Sequence, residues 1–123
     1  MRYKAHNLFA SFRYAFEGIL FTLRTQRNMR IHFCVGILAF ILAFILGVSP
    51  FEKALIFMAA AAVVAAEMIN TAIENAVDLA THRRHPLAKA AKDTAAAAVM
   101  VLSFNALAIG SLLLLPPLIR HFH

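Results

Sequence analysis

The sequence predicts an all-α integral membrane protein, with three transmembrane helices and an N-terminal amphipathic helix lying in the membrane interface. Composition, three long uncharged runs and an aromatic stripe near the N-terminus lead to this class. The chain has 123 residues, of which 62% are hydrophobic and 15% charged. A soluble domain averages about 45–50% apolar and about 25% charged residues, and one this small buries only about two-thirds of its unfolded surface. The surplus apolar side chains must face lipid, as the mean hydropathy of +0.74 also requires. An ordinary soluble domain and a disordered chain are both excluded.

The first element is the surface helix, expected over about 7–28. Phe9, Phe12, Phe16, Ile19 and Leu23 recur every three or four residues, with Arg13, Glu17, Arg24 and Arg27 off that stripe. Such a helix presses its aromatic face into the headgroups; packing on the bundle is the alternative. This stretch lacks a continuous apolar core and a small-residue cleavage site, so it does not read as a signal peptide.

The first membrane helix is expected over about 31–49, where His32 is the one strongly polar residue. Nineteen residues rise about 28 Å, close to the roughly 30 Å of hydrocarbon. His32 reads as an interfacial hydrogen-bonding residue and Cys34 as a packed thiol. As the chain's only cysteine, Cys34 excludes an internal disulfide. A break follows at Gly47-Val48-Ser49-Pro50, and the second membrane helix is expected over about 54–80. After a polar loop from His82 to Asp93, the third covers about 94–117. Asp93 or Thr94 is its expected N-cap, and Pro116 with Pro117 its expected end. Ala95 to Ala98 reads as small-residue packing, and Ser103, Asn105 and Ser111 as helix–helix hydrogen bonds. One domain covers 1–123.

Net charge is +6, which in so apolar a chain points to an anionic membrane surface rather than nucleic acid. Arg2, Lys4, Arg13, Arg24, Arg27 and Arg30 precede the first span; Arg83, Arg84, Lys89 and Lys92 follow the second. Only Lys53 and Arg120 lie on the other side. The positive-inside rule then puts the N-terminus and the second loop in the cytoplasm.

The chemistry is concentrated in the second helix. Glu67, Asn70, Glu74 and Asp78 are spaced by three, four and four residues and share one face. Carboxylates there are tolerable only toward the protein interior, with a cation, a proton or a basic partner. The loop and the start of the third helix supply Arg83, Arg84, His85, Lys89, Lys92 and Asp93. A basic loop beside a carboxylate-lined helix suits Mg²⁺–nucleotide handling, because cations hold phosphate oxygens and carboxylates hold the metal or take a proton. Composition alone leaves a proton channel or a small transporter subunit equally open.

The stretch from Glu67 to Asp78, EMINTAIENAVD, followed by His85-Pro86-Leu87-Ala88-Lys89 and Ala91-Lys92-Asp93, resembles the prokaryotic diacylglycerol kinase family, which includes undecaprenol kinases. The resemblance takes in Ser11-Phe12-Arg13-Tyr14-Ala15, Gly18, Arg27-Asn28 and Arg30-Ile31-His32, and covers about 8–117. It implies a homotrimer that uses ATP and Mg²⁺ to phosphorylate a membrane lipid alcohol at the cytoplasmic interface. By position, Glu67 matches the general base and Glu74 a metal-binding carboxylate. Tyr14, His85, Lys92 and Asp93 match nucleotide contacts, and Arg83 and Arg84 stand in the loop approaching the nucleotide. Asn70 and Asp78 match other polar residues of the reaction centre. Two positions depart from the pattern. Gln26 replaces the family's second metal-ligand glutamate beside the nucleotide, and Asn7 replaces an arginine of one branch. The wording from His85 to Asp93 favours undecaprenol over diacylglycerol as acceptor. The rival readings are a non-catalytic, proton-conducting bundle and a member that binds nucleotide without turnover because of Gln26.

Overall fold

The computed structural model describes residues 7–123, which form four helices: α1 Leu8–Thr25, α2 Arg27–Leu46, α3 Pro50–Ala80 and α4 Pro86–His121. Arg2, Lys4 and His6 lie outside the described residues. Each helix start has a local cause. Asn7 Oδ1 accepts from the amide of Ala10 at 2.8 Å and opens α1. A single extended residue, Gln26, separates α1 from α2. The Arg30 guanidinium reaches back across that break to the carbonyls of Leu23 and Arg24, at 2.9 and 3.1 Å. It thereby satisfies acceptors left free at the end of α1. Gly47 closes α2 at φ 66°, a left-handed conformation that costs glycine least. Ser49 and Glu52 then form a capping box around Pro50.

Helices α2, α3 and α4 are long and apolar enough to cross a membrane. With 31 and 36 residues, α3 and α4 rise about 46 and 54 Å, well beyond a hydrocarbon layer of about 30 Å. The two therefore continue past the layer together on the side of their connecting loop. Lipid-type exposure runs along the outer faces, as at Leu38, Ile45, Met58 and Leu107. The interior is narrow. Ala43, Val48, Ile56 and Leu114 form the core near the α2–α3 turn, and Met29 is fully buried at the α1–α2 junction. A Cβ added to Gly36 would lie 3.2 Å from Ala60 Cβ, so the backbones of α2 and α3 approach closely there.

Four expectations change. The third membrane helix starts at Pro86, with His85 as N-cap accepting from the Leu87 amide at 3.1 Å. Neither Asp93 nor Thr94 caps it, because proline at the first helical position already nucleates the helix upstream. Pro116 and Pro117 do not end α4, which continues to His121. Proline withholds donors only from Leu112 and Leu113, and near a helix end at the far interface those carbonyls can be met by water. Cys34 is exposed on α2 rather than packed. Ser103 Oγ is buried without a partner and Asn105 is exposed, and among the described residues Ser103, Asn105 and Ser111 make no helix–helix hydrogen bond. On α1, Phe9, Phe12 and Phe16 are 77%, 68% and 60% exposed, so packing on the bundle is confined to the second half of the helix, at buried Thr22 and the half-buried Ile19 and Leu23.

Candidate active site

Helix α3 carries the polar stripe from the interior outward. Glu67 is buried, Asn70 and Glu74 are half-buried, and Asp78 is exposed. Eleven residues separate Glu67 from Asp78, about 16 Å along one face. Counted from Pro50, Glu67 lies about 26 Å along the helix, near the far edge of a hydrocarbon layer about 30 Å thick. Helical periodicity thus places one carboxyl inside and the others beyond that edge.

Opposite Glu67 stands His32 of α2, with Nε2 3.4 Å from Glu67 Oε1. Thr71, one turn on, donates its hydroxyl to the Glu67 backbone carbonyl at 2.8 Å and leaves the carboxylate free. Further out, Asn70 Nδ2 donates to Glu74 Oε1 at 3.3 Å, while Asn70 Oδ1 is buried without a partner. Asn70 thus turns its NH2 group to Glu74 and orients that carboxylate, whose oxygens suit a hard cation such as Mg²⁺. Among the described residues there is no group of three or more His, Cys, Asp or Glu able to hold a metal. Mg²⁺ needs no such cage, because substrate phosphates and water complete its shell.

The outer end of the stripe opens into a cleft of about 840 Å³ between the ends of α3 and α4 and their loop. Asp78, His82, Arg83, Arg84, His85, Lys89, Lys92 and Asp93 line it. Two ion pairs tie its walls: Lys92 Nζ to Asp78 Oδ1 across the helices, and Lys89 Nζ to Asp93 Oδ2 along α4, both at 2.5 Å. Lys92 precedes the uncharged stretch of α4. The hydrogen bond to Asp78 holds its ammonium above the ordinary range. Arg83 and Arg84 have no ion-pair partner among the described residues, so their guanidinium groups are available to phosphate oxygens.

The fold therefore gathers Arg83, Arg84, His85, Lys92, Asp93 and Asp78 into one cleft and aligns Glu74, Asn70 and Glu67 behind it. Tyr14 does not line the cleft; it lies on exposed α1, with the Arg13 guanidinium 5.2 Å from its ring centroid. Gln26 sits at the α1–α2 junction, half-buried, and its side chain makes no capping hydrogen bond. The residue that sequence reasoning undervalues is His32. A usable signal exists: His32 lies fifteen residues before Gly47, and Glu67 eighteen after Ser49. In an antiparallel pair of helices, two isolated polar residues at nearly equal depth will meet.

Residues 13–114 match the family model for prokaryotic diacylglycerol kinase. The chain is 42% identical over 117 residues to the undecaprenol kinase of Bacillus subtilis, covering 95% of each protein. It is 41% identical over 116 residues to the diacylglycerol kinase of Synechocystis sp., covering 94% of this chain and 66% of that protein. Against the diacylglycerol kinase of Pseudomonas aeruginosa it is 35% identical over 88 residues, 72% of each.

Proposed function

Because this chain belongs to the prokaryotic diacylglycerol kinase family, we propose that this membrane lipid kinase transfers the γ-phosphoryl group of Mg²⁺–ATP to a lipid alcohol. The observation that carries the proposal is the single polar stripe running from buried Glu67 to exposed Asp78 and ending in the arginine-bearing cleft. The Glu67 carboxylate takes the hydroxyl proton as the lipid oxygen bonds to the γ-phosphorus and the bond to ADP breaks. Glu74 would hold Mg²⁺, with its carboxylate oriented by the Asn70 amide. The metal supplies charge neutralisation at the phosphate oxygens. Arg83 and Arg84 bind phosphate; His85, Lys92 and Asp93 shape the nucleotide side of the cleft, and the Lys92–Asp78 pair fixes its walls. Tyr14, from α1, would reach the nucleotide as a further contact. A proton-conducting bundle would have no use for the basic cleft.

For the acceptor we favour undecaprenol over diacylglycerol. The wording from His85 to Asp93 supports this choice, and the Bacillus relative that matches end to end is named undecaprenol kinase. We also place α1 and the α3–α4 loop on the cytoplasmic side, where ATP is, on the count of Lys and Arg. ATP-dependent transfer by purified protein, offered both lipids in competition, tests the whole reading. Preferential labelling of undecaprenol is expected; labelling of diacylglycerol alone overturns the acceptor, and labelling of neither overturns the kinase.

The assembly is proposed to be a homotrimer. Exposed Cys34 on α2, and the half-buried Glu74 with exposed Asp78 on α3, are surfaces that a second chain would cover. Native mass spectrometry from detergent is expected to give three copies. A monomer retaining full transfer activity removes the trimer from the account.

Gln26 sets the metal requirement. Its amide oxygen can ligate Mg²⁺ but neutralises none of its charge, so Glu74 and the phosphates carry a single well-held metal. Gln26→Glu is expected to lower the Mg²⁺ concentration giving half-maximal rate, and Gln26→Ala to raise it only modestly. An unchanged Mg²⁺ dependence in Gln26→Glu excludes the position from the metal shell. A wild-type chain without turnover that Gln26→Glu switches on identifies a degenerate kinase.

A further inference from the structure

We infer that His32 is the positioning residue for the Glu67 carboxylate, which rests on the reading of Glu67 as general base. Its Nε2 lies 3.4 Å from Glu67 Oε1, and the side chains are 27% and 4% exposed. A carboxylate this buried needs a donor or a cation, because an unmet charge in an apolar interior is costly. The other polar groups nearby are engaged elsewhere. The Thr71 hydroxyl is spent on a backbone carbonyl and the Asn70 amide on Glu74. Among the described residues His32 is the one side chain within ion-pair distance of Glu67.

The two residues sit on different helices, so their contact fixes the carboxylate relative to α2 as well as α3. The 3.4 Å contact of Nε2 lies on Oε1, so the second carboxylate oxygen is left for the incoming hydroxyl. The exposed part of the imidazole heads an apolar groove of about 510 Å³ between α2, α3 and α4, lined on to Leu118. An alcohol approaching from the lipid side along that groove therefore passes His32 before it reaches the nearly enclosed Glu67. Without the imidazole the carboxylate can rotate, and a displacement of about 1 Å at a reacting group costs about 10²-fold in rate.

The test measures turnover of the full chain in detergent, with ATP and undecaprenol varied separately, for His32→Ala, His32→Gln, Glu67→Gln and the double variant His32→Ala/Glu67→Gln. His32→Ala is expected to lower kcat about 10²-fold with the KM for ATP unchanged. His32→Gln, whose amide can still donate, should recover most of the loss. The double variant should be no slower than Glu67→Gln alone, because His32 acts only through that carboxylate. If His32→Ala does not fold, His32→Phe takes its place, keeping ring volume without a donor. Wild-type turnover in His32→Ala beside an inactive Glu67→Gln overturns the inference and leaves the base intact. Equal losses in Ala and Gln variants that also add to Glu67→Gln mean a packing role and overturn it too. Wild-type turnover in Glu67→Gln itself removes the base assignment, and His32 falls with it.

Discussion

Glu67→Gln is expected to lower phosphoryl transfer by about 10²–10⁴-fold, the range for loss of a general base. The amide matches the carboxylate in size, so the buried site between α2 and α3 keeps its packing, and unfolding temperature and ATP affinity should stay near those of the wild type. What is lost is the acceptor for the hydroxyl proton. Raising Mg²⁺ or ATP should recover nothing, because neither supplies a base at a residue 3% exposed. The rate deficit should sit in kcat, and near-normal turnover in the purified variant would show that Glu67 takes no proton in the reaction.

A different signature is expected from Glu74→Gln, two turns further out. Glu74 is half-buried and accepts from Asn70 Nδ2. Removing its charge takes away the anionic ligand of the proposed metal. Loss of one electrostatic stabiliser of transferring charge costs about 10²–10³-fold, and that is the loss expected at low Mg²⁺. Here a raised Mg²⁺ concentration should restore part of the rate, because a weaker site can still be filled by mass action. Titrating Mg²⁺ against rate in the Glu67 and Glu74 variants separates the roles. Identical, Mg²⁺-independent losses would mean that Glu74 does not hold the metal.

Much of the stripe is legible in the amino-acid order alone, because a helix repeats every 3.6 residues and polar residues at three- and four-residue spacing must share a face. The same holds for the break at 47–50, where glycine, serine and proline each have a specific role at a helix end. The partners across helices are less legible. Lys92 and Asp78 both stand out in the sequence, but their pairing depends on how α3 and α4 pack beyond the hydrocarbon. His32 reads as an interfacial residue, since nothing within its own helix names the carboxylate it meets.

Residence in a membrane, three crossings and the placing of the carboxylates on one helix all follow from the amino-acid order. Those properties rest on apolar run length and helical period, which are local and additive along the chain. Packing between helices fixes the rest: where α4 begins, how far α3 and α4 extend together, and which side chains face one another. It sets Glu67 against His32, leaves Arg83 and Arg84 without ion-pair partners among the described residues of the cleft, and binds the cleft walls through Lys92 and Asp78. Contacts of that kind depend on the relative rotation and depth of separate helices. Those are set by the close approach at Gly36 and Ala60 and by the turn at Gly47, and no periodicity within one segment encodes them.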